Sequence, residues 1–163
     1  MELQKYIVNK LKKNSADDVI ISLSNNYTKQ IKFSNNQINL NLSYKFESLN
    51  IFAAIKQRTI STSLRELSKK SADLTIKKII SNAKSLPKNP DYKGIANGKF
   101  KYPNIENNYD KKIDNVNPVD IVEEAISTSL NNGSKKCAGV LFVTKSEDKI
   151  LTSNKIEQEE ALN

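Results

Sequence analysis

The residues of this chain that could carry out chemistry are a single cysteine, several carboxylates and many lysines. The sequence contains no histidine, which excludes Ser-His and Cys-His nucleophile pairs and the His-containing zinc motifs of metallopeptidases. Cys137 begins an apolar stretch, and its neighbours Lys135 and Lys136 are positive charges of the kind that activate a thiol. No base partner accompanies it, so we interpret Cys137 as a half-buried structural thiol.

The carboxylates and lysines form no catalytic pattern either. Glu123 and Glu124 are adjacent, and adjacent residues on a helix do not face each other, so we interpret them as part of a solvated face. A catalytic lysine must be desolvated, and no lysine here stands in an apolar run. The tyrosines are interpreted as core or loop anchors. The sequence therefore predicts no catalytic, cofactor-binding or metal-binding residue.

Composition and charge narrow the class of protein. The chain has 163 residues and a net charge of +8, and its length fits a single domain over residues 1–163. The lysines are scattered in pairs and only Arg58 and Arg65 are arginines, whereas nucleic-acid recognition favours clustered arginine. We therefore predict no specific nucleic-acid partner. No apolar run reaches the ~18 residues of a membrane span, and the lone cysteine suits a reducing compartment, so we predict a cytoplasmic protein.

The elements that would have to position any site follow from hydrophobic periodicity. Residues 37–43 alternate strictly, with Ile38, Leu40 and Leu42 on one side and Asn39, Asn41 and Ser43 on the other. Extended segments are predicted at residues 18–33 (as one bent strand or two), 37–43, 49–55 and 59–64, with a turn at residues 34–36. Short polar links between them imply an antiparallel meander with one face buried.

On this pattern Ile38, Leu40, Leu42 and Ile51 are predicted to face the helices. The polar side chains of Asn39, Asn41 and Ser43 are predicted to face solvent or a partner domain. Leu40→Ala would then cost about 2–5 kcal/mol.

Helices are predicted on the buried face. The first covers residues 2–13, the second runs from Ser71, its predicted N-cap, to about Leu86, and the third begins at Pro118 with Asn117 as its cap and ends near Gly133. Residues 138–144 and 149–153 are predicted strands joined by a turn at residues 146–148, and a further strand could start after Lys155. The predicted fold class is α+β, an antiparallel meander sheet packed on one face by two to three helices.

A long segment without periodicity, about residues 87–117, separates the second and third helices. Loops of this length are uncommon inside compact domains. Two readings stay open: an ordered wrap anchored by Tyr92, Phe100 and Tyr102, or a mobile linker.

Several short motifs follow this order of elements. They are Lys32-Phe33-Ser34-Asn35-Asn36 at the end of the first arm, Ser61-Thr62-Ser63 on a later strand, the loop from Asn89 to Ile95, and Ala138-Gly139-Val140. The arrangement resembles the N-terminal domain of the TldD/PmbA family, whose PmbA branch is also called TldE. The turn at residues 152–155 departs from the family pattern because it lacks the usual glycine and Asn-Ser order.

The resemblance implies a function that this chain cannot perform alone. In the family, TldD members carry an H-E-x-x-x-H metal site with a later cysteine ligand, and PmbA/TldE members lack it and pair with TldD partners in peptide processing. Neither motif maps onto this sequence, and Cys137 matches no ligand of that site. We therefore expect an N-terminal piece that acts as a non-catalytic scaffold enclosing a peptide substrate, with zinc only in the missing C-terminal domain of TldD-type members.

Three points stay open at this stage. The whole protein could be a metallopeptidase or its inactive partner subunit, and the chain could form a homodimer or a heterodimer with a TldD/PmbA-type partner. The alternative function is a free-standing basic α+β binding module for nucleic acid or a protein, in line with the family's older label as a modulator of DNA gyrase.

Overall fold

The computed structural model describes residues 2–98, 100–101 and 109–162, which form an α+β fold as predicted. The helices are α1 (Glu2–Lys13), α2 (Lys69–Ser85) and α3 (Pro118–Asn131), with a short 3-10 helix at Lys111–Asn115. The strands are β1 (Asp18–Ser34), β2 (Gln37–Ile55), β3 (Arg58–Leu64), β4 (Gly139–Thr152) and β5 (Glu157–Leu162).

The five strands form one open sheet in the order β3-β2-β1-β4-β5. The first three are sequential neighbours, which confirms the predicted meander, and β4 is added beside β1. Strands β2 and β3 pair antiparallel from Leu49 opposite Leu64 to Ile55 opposite Arg58. Every described residue belongs to one of two compact units, and β1, β2, β4 and β5 each contribute to both.

The first unit contains the described residues of 1–25, 47–104 and 148–160. Its core joins α1 and α2 to the sheet through side chains that are almost fully buried. They are Ile7 and Leu11 of α1, Val19 and Ile21 of β1, Leu49 and Ile51 of β2, and Ile76 and Ile79 of α2. The two helices are also joined at their surface, where the Tyr6 hydroxyl and the Lys10 ammonium each donate to Asp73 Oδ1 at 2.6 Å.

The second unit contains the described residues of 26–46, 105–147 and 161–163. Its smaller core is centred on Ile31 of β1 and on Val122 and Ile126 of α3. Phe33, Ile38 and Leu141 pack against these three residues from the sheet. Helix α3 therefore covers the end of the β1–β2 hairpin.

The buried row predicted for β2 is only partly correct. Ile51 is 1% exposed, and Ile38 packs in the α3 cluster, but Leu40 and Leu42 are 38% and 43% exposed. The prediction that these two leucines face a helix was therefore wrong. Alternation reports which side chains share a face of a strand, whereas burial requires an element that covers that face, and α3 covers only the hairpin end.

Strand and helix boundaries differ from the prediction at three other places. The segments predicted separately at residues 37–43 and 49–55 are one continuous strand, β2. The turn predicted at residues 146–148 does not exist, because β4 is continuous from Gly139 to Thr152. Polar residues in its middle find partners on β1: the Ser24 hydroxyl bonds the Asp148 carboxylate, and the Thr28 and Thr144 hydroxyl oxygens are 3.1 Å apart.

Helix α2 is capped by Ser68 rather than by Ser71. The Ser68 hydroxyl oxygen accepts a hydrogen bond from the backbone N–H of Ser71 at 3.1 Å. The start of α3 is as predicted, because Asn117 caps it and Pro118 is its first residue. Gly133 follows its end with a φ of 89°.

The described residues between α2 and α3 are irregular except for the 3-10 helix. The first part of this segment is attached to the first unit by backbone contacts. The Asn89 N–H donates to the Gln57 carbonyl at 2.8 Å, and the Asn154 side chain donates to the Ala96 carbonyl at 3.0 Å. Residues 89–96 are therefore ordered against the first unit, which agrees with the ordered wrap rather than with the mobile linker. Phe100 is 49% exposed, and Tyr102 lies outside the described residues.

The β1–β2 turn depends on Asn36. This residue has a φ of 65°, its amide donates to the Lys135 carbonyl at 3.1 Å, and its Oδ1 accepts from the Cys137 N–H at 2.7 Å. Asn36→Gly should lose the stabilisation that the side-chain hydrogen bonds provide. Asn36→Ala should lower the free energy of unfolding by a further ~1–2 kcal/mol, because a Cβ disfavours this backbone conformation. Urea titrations should rank stability as Asn, then Gly, then Ala. If Asn36→Gly is less stable than Asn36→Ala, the backbone conformation at residue 36 is not the reason that asparagine stabilises this turn.

Candidate functional site

The residues that the sequence singled out for possible chemistry are not assembled into a site. Cys137 is half-buried beside α3, where its Sγ lies 3.8 Å from the Ser129 hydroxyl. Glu123 and Glu124 are exposed on α3. Across the described residues, no group of three or more His, Cys, Asp or Glu is arranged to hold a metal ion. The absence of catalytic residues stays a prediction.

A shallow trough lies on the face of the first unit's sheet that points away from α1 and α2. Ile51 and Ala53 of β2 are buried against the helices, so their neighbours Asn50 and Phe52 point to the opposite side. The trough has a volume of ≈ 430 Å³. It is lined by Ile20, Ser22, Asn50, Ile51, Phe52, Ser61, Thr62 and Ser63.

This lining is suited to binding rather than to catalysis. The hydroxyl groups of its serine and threonine residues and the amide of Asn50 can donate and accept hydrogen bonds, and Ile20 and Phe52 add apolar area. No lining residue is charged or carries a nucleophile with an adjacent base. Such a surface can hold an extended, neutral polar chain by hydrogen bonds and apolar contact.

The long loop places an aromatic side chain beside the trough. The ring centroids of Tyr92 and Phe52 are 5.9 Å apart, and the Tyr92 hydroxyl donates to Asp18 Oδ2 at 2.8 Å. Burial, together with the carboxylates of Asp18 and Asp17, raises the pKa of the Tyr92 phenol above its ordinary value. The phenol is therefore held neutral, as a hydrogen-bond donor to Asp18.

The raised pKa of Tyr92 predicts how stability responds to alkaline pH. The pKa of Tyr92 in the folded state lies above the unfolded value of about 10. The contribution of Tyr92 to the stability of the fold is therefore complete below pH ~10 and is lost as the pH rises further. The difference in unfolding free energy between wild type and Tyr92→Phe should be constant from pH 7 to 9 and shrink above pH 10. Tyr109→Phe, which removes a surface phenol, is the control and should show a smaller change. A difference that grows with pH would contradict this assignment.

An unpaired stretch of sheet edge distinguishes the second unit. Strand β3 pairs with β2 only from Leu49 to Ile55, so in the described part of the chain no strand lies beside the outer edge of residues 37–44. Along this edge, Leu40, Leu42 and Tyr44 alternate and are between 38% and 43% exposed. An unpaired edge with an apolar row is a template for pairing with another chain. We call residues 37–44 the β2 edge.

Sequence reasoning missed both surfaces. The Ser61-Thr62-Ser63 alternation was visible, but nothing local connects it with Ser22 or Asn50 across the sheet. The alternation of Leu40, Leu42, Tyr44 and Phe46 continues past residue 43, and this was the signal that could have revealed one long strand and with it the β2 edge. Among the described residues, no helix combines the length and apolar character that crossing a membrane requires.

Comparison with known proteins rests on structure alone. No family model and no curated protein matches the sequence. The fold, by contrast, is that of solved proteins of the TldE and gyrase-modulator type. The similarity to TldE from Thermococcus kodakarensis has a TM-score of 0.82 at 13% identity, covering 98% of this chain and 36% of TldE.

Two further structures agree with this result. A proposed modulator of DNA gyrase from Bacteroides thetaiotaomicron matches with a TM-score of 0.83 at 18% identity, over 98% of this chain and 38% of that protein. Another from Thermotoga maritima matches with a TM-score of 0.78 at 14% identity, over 99% and 37%. The sequence-based resemblance is thus confirmed at the level of the fold, and this chain spans little more than a third of the proteins it matches.

Proposed function

We propose that this chain is a non-catalytic scaffold domain of a TldD/PmbA-type protein and forms a wall that encloses a peptide substrate. The observation that carries the proposal is the fold similarity to TldE, which extends over 98% of this chain but covers 36% of TldE. The remaining length of such proteins is where we place the chemistry. The trough supports the role of a wall, because its hydroxyl, amide and apolar groups suit an extended peptide.

The test of this proposal uses unstructured peptides and backbone NMR. Titrating the chain with a peptide mixture should shift the amide signals of Ser22, Asn50, Phe52 and Ser61, and Phe52→Ala should weaken the effect. Thr59→Ser is the matched control, because Thr59 belongs to the same strand β3 but does not line the trough. Shifts confined to residues outside the trough, or none at the highest soluble peptide concentration, would overturn the proposal.

The proposed role places zinc outside this chain. A catalytic zinc site takes about three His, Cys or carboxylate ligands, and the described residues group none in that way. Purified, dialysed chain should therefore contain far less than one zinc per molecule and should cleave no peptide. One tightly bound zinc per chain would refute the scaffold role.

We propose that a TldD/PmbA-type partner, either a second copy or a related subunit, covers the β2 edge. The unpaired backbone and the apolar row of Leu40, Leu42 and Tyr44 support this placement. If the partner is a second copy, Leu42→Lys should abolish dimers in sedimentation velocity. If the partner is a related subunit, Leu42→Lys should abolish capture by a co-expressed TldD-type subunit. Asn41→Lys adds the same charge to the polar row and should have the smaller effect. Equal effects of both variants, or a wild-type chain that forms neither complex, would refute the placement.

We further propose a cytoplasmic location and no specific nucleic-acid partner. A single cysteine supports the reducing compartment, and the scarcity of arginine speaks against base recognition. Binding to DNA or RNA should occur only at low salt, since each neutralised phosphate releases counterions. A preference of more than about 10³-fold for one oligonucleotide over its scrambled form at physiological salt would instead support the binding-module function.

A further inference from the structure

A second depression in the first unit is formed by three elements that meet at one end of the core. It lies between the chain after α1, the turn from β2 to β3, and the last turns of α2. Its volume is ≈ 350 Å³, which is within the usual range for a small-molecule site. We call it the basic pocket.

The charge of the basic pocket is of one sign. Lys56, Arg58 and Lys84 line it, and no carboxylate does. None of these three side chains forms an ion pair within the described part of the chain. Asp17, the acidic residue attached to this turn, accepts a hydrogen bond from the backbone N–H of Lys56 at 2.5 Å. The local field therefore favours an anion.

The floor of the basic pocket is apolar. Ile55 and Ile80 are half-buried, and Ala83 is 2% exposed, and all three line the depression. An apolar floor makes no favourable contact with a free phosphate ion, because phosphate is hydrated on every side. The floor gives apolar contact to a ligand whose anionic group is attached to an aliphatic body.

Arg58 is held in position before any ligand arrives. Its Nε–H donates to the Leu86 carbonyl at 2.8 Å, which uses one of the five N–H donors of the guanidinium. The remaining four can serve a carboxylate, which the planar guanidinium matches in a bidentate way. An arginine that is already anchored loses less conformational entropy on binding than a free one.

We propose that the basic pocket binds a small organic carboxylate with an aliphatic body. Arg58 pairs with the carboxylate, Lys56 and Lys84 add positive potential at the rim, and Ile55, Ile80 and Ala83 contact the aliphatic part. The carboxyl terminus of a peptide ending in leucine and a free branched-chain acid share this chemistry. The inference uses only the pocket and does not rest on the scaffold role proposed above.

The probe is N-acetyl-leucine, titrated into the wild-type chain at pH 7 and followed by NMR. Saturable shifts should appear in the basic pocket, and N-acetyl-leucinamide, which lacks the charge, should bind at least about tenfold more weakly. Inorganic phosphate tests whether charge alone suffices. 4-Methylpentanoate, which lacks the amide, separates the free acid from the peptide terminus as the source. If the amide or phosphate binds as well as N-acetyl-leucine, or if N-acetyl-leucine does not bind saturably, the proposal is overturned.

Variants locate the binding within the molecule. Lys84→Glu reverses one charge at an exposed position without touching the core, so it should lower the affinity about tenfold while leaving the unfolding transition unchanged. Arg58→Gln should have at least as large an effect, although loss of its bond to Leu86 could also loosen the loop. Lys78→Glu, an equally exposed charge reversal on α2 that does not line the pocket, should leave binding nearly unchanged. Equal losses in Lys84→Glu and Lys78→Glu would mean that net charge, not this pocket, attracts the acid.

Discussion

Replacing Ile51 with alanine is expected to lower the free energy of unfolding by about 2–5 kcal/mol. The side chain is 1% exposed and lies in the core that joins β2 to α1 and α2. Deleting its outer carbons loses both their transfer energy and their packing contacts, because the surrounding residues cannot fully close the gap. Urea unfolding, followed by circular dichroism, measures the change.

The control is Leu40→Ala in the same strand. Leu40 is 38% exposed, so its truncation should cost about 1 kcal/mol or less. The two variants remove comparable apolar side chains from one strand and differ mainly in what covers them. If Leu40→Ala proves the more damaging, an element packs on the β2 edge and the exposed row is buried in the assembled protein.

Introducing a methyl group at Gly139 is expected to destabilise the second unit by about 1–3 kcal/mol. A Cβ placed there would lie 2.7 Å from Cζ and 3.0 Å from Cε1 of Phe33. Phe33 packs against the cluster of Ile31, Val122 and Ile126. The ring must therefore move, at the expense of contacts beneath α3.

A double-mutant cycle tests this cause directly. Phe33→Leu removes the atoms that the new methyl group meets, so Gly139→Ala should cost less in that background, with a coupling energy of roughly 0.5–3 kcal/mol. Gly133→Ala is the control: its φ of 89° makes it costly, but nothing lies within 4 Å of its Cβ position. Phe33→Leu should not rescue it. Additive costs at Gly139 and Phe33 would show that the close approach is relieved in some other way.

Local sequence patterns determined much of this protein. Alternation predicted extended strands, and the Asn35-Asn36 pair predicted the turn, because asparagine tolerates the positive φ that both residues adopt. Asn117 and Pro118 predicted the start of α3, because a side-chain cap and a proline are both favoured there. These features depend on neighbours a few residues apart, and they can therefore be read from the chain directly.

Tertiary structure alone decided which residues are covered and which surfaces remain. In the segments predicted separately at residues 49–55 and 37–43, alternation was right about the burial of Ile51 and wrong about Leu40 and Leu42, because no pattern within a strand specifies where a helix ends over it. The predicted turn at residues 146–148 was replaced by continuous β4, since Asp148 is bonded by Ser24 from β1.

The two depressions arise from the same kind of long-range contact. Tyr92 stands beside Phe52 only because the loop returns to the sheet, and Arg58 meets α2 only because β3 pairs beside β2. Composition limits the chemistry that we expect of these surfaces, since a chain without histidine has few catalytic options. The positions of the trough and the basic pocket depend on contacts between residues far apart in the sequence. The spacing of these residues along the chain does not predict such contacts.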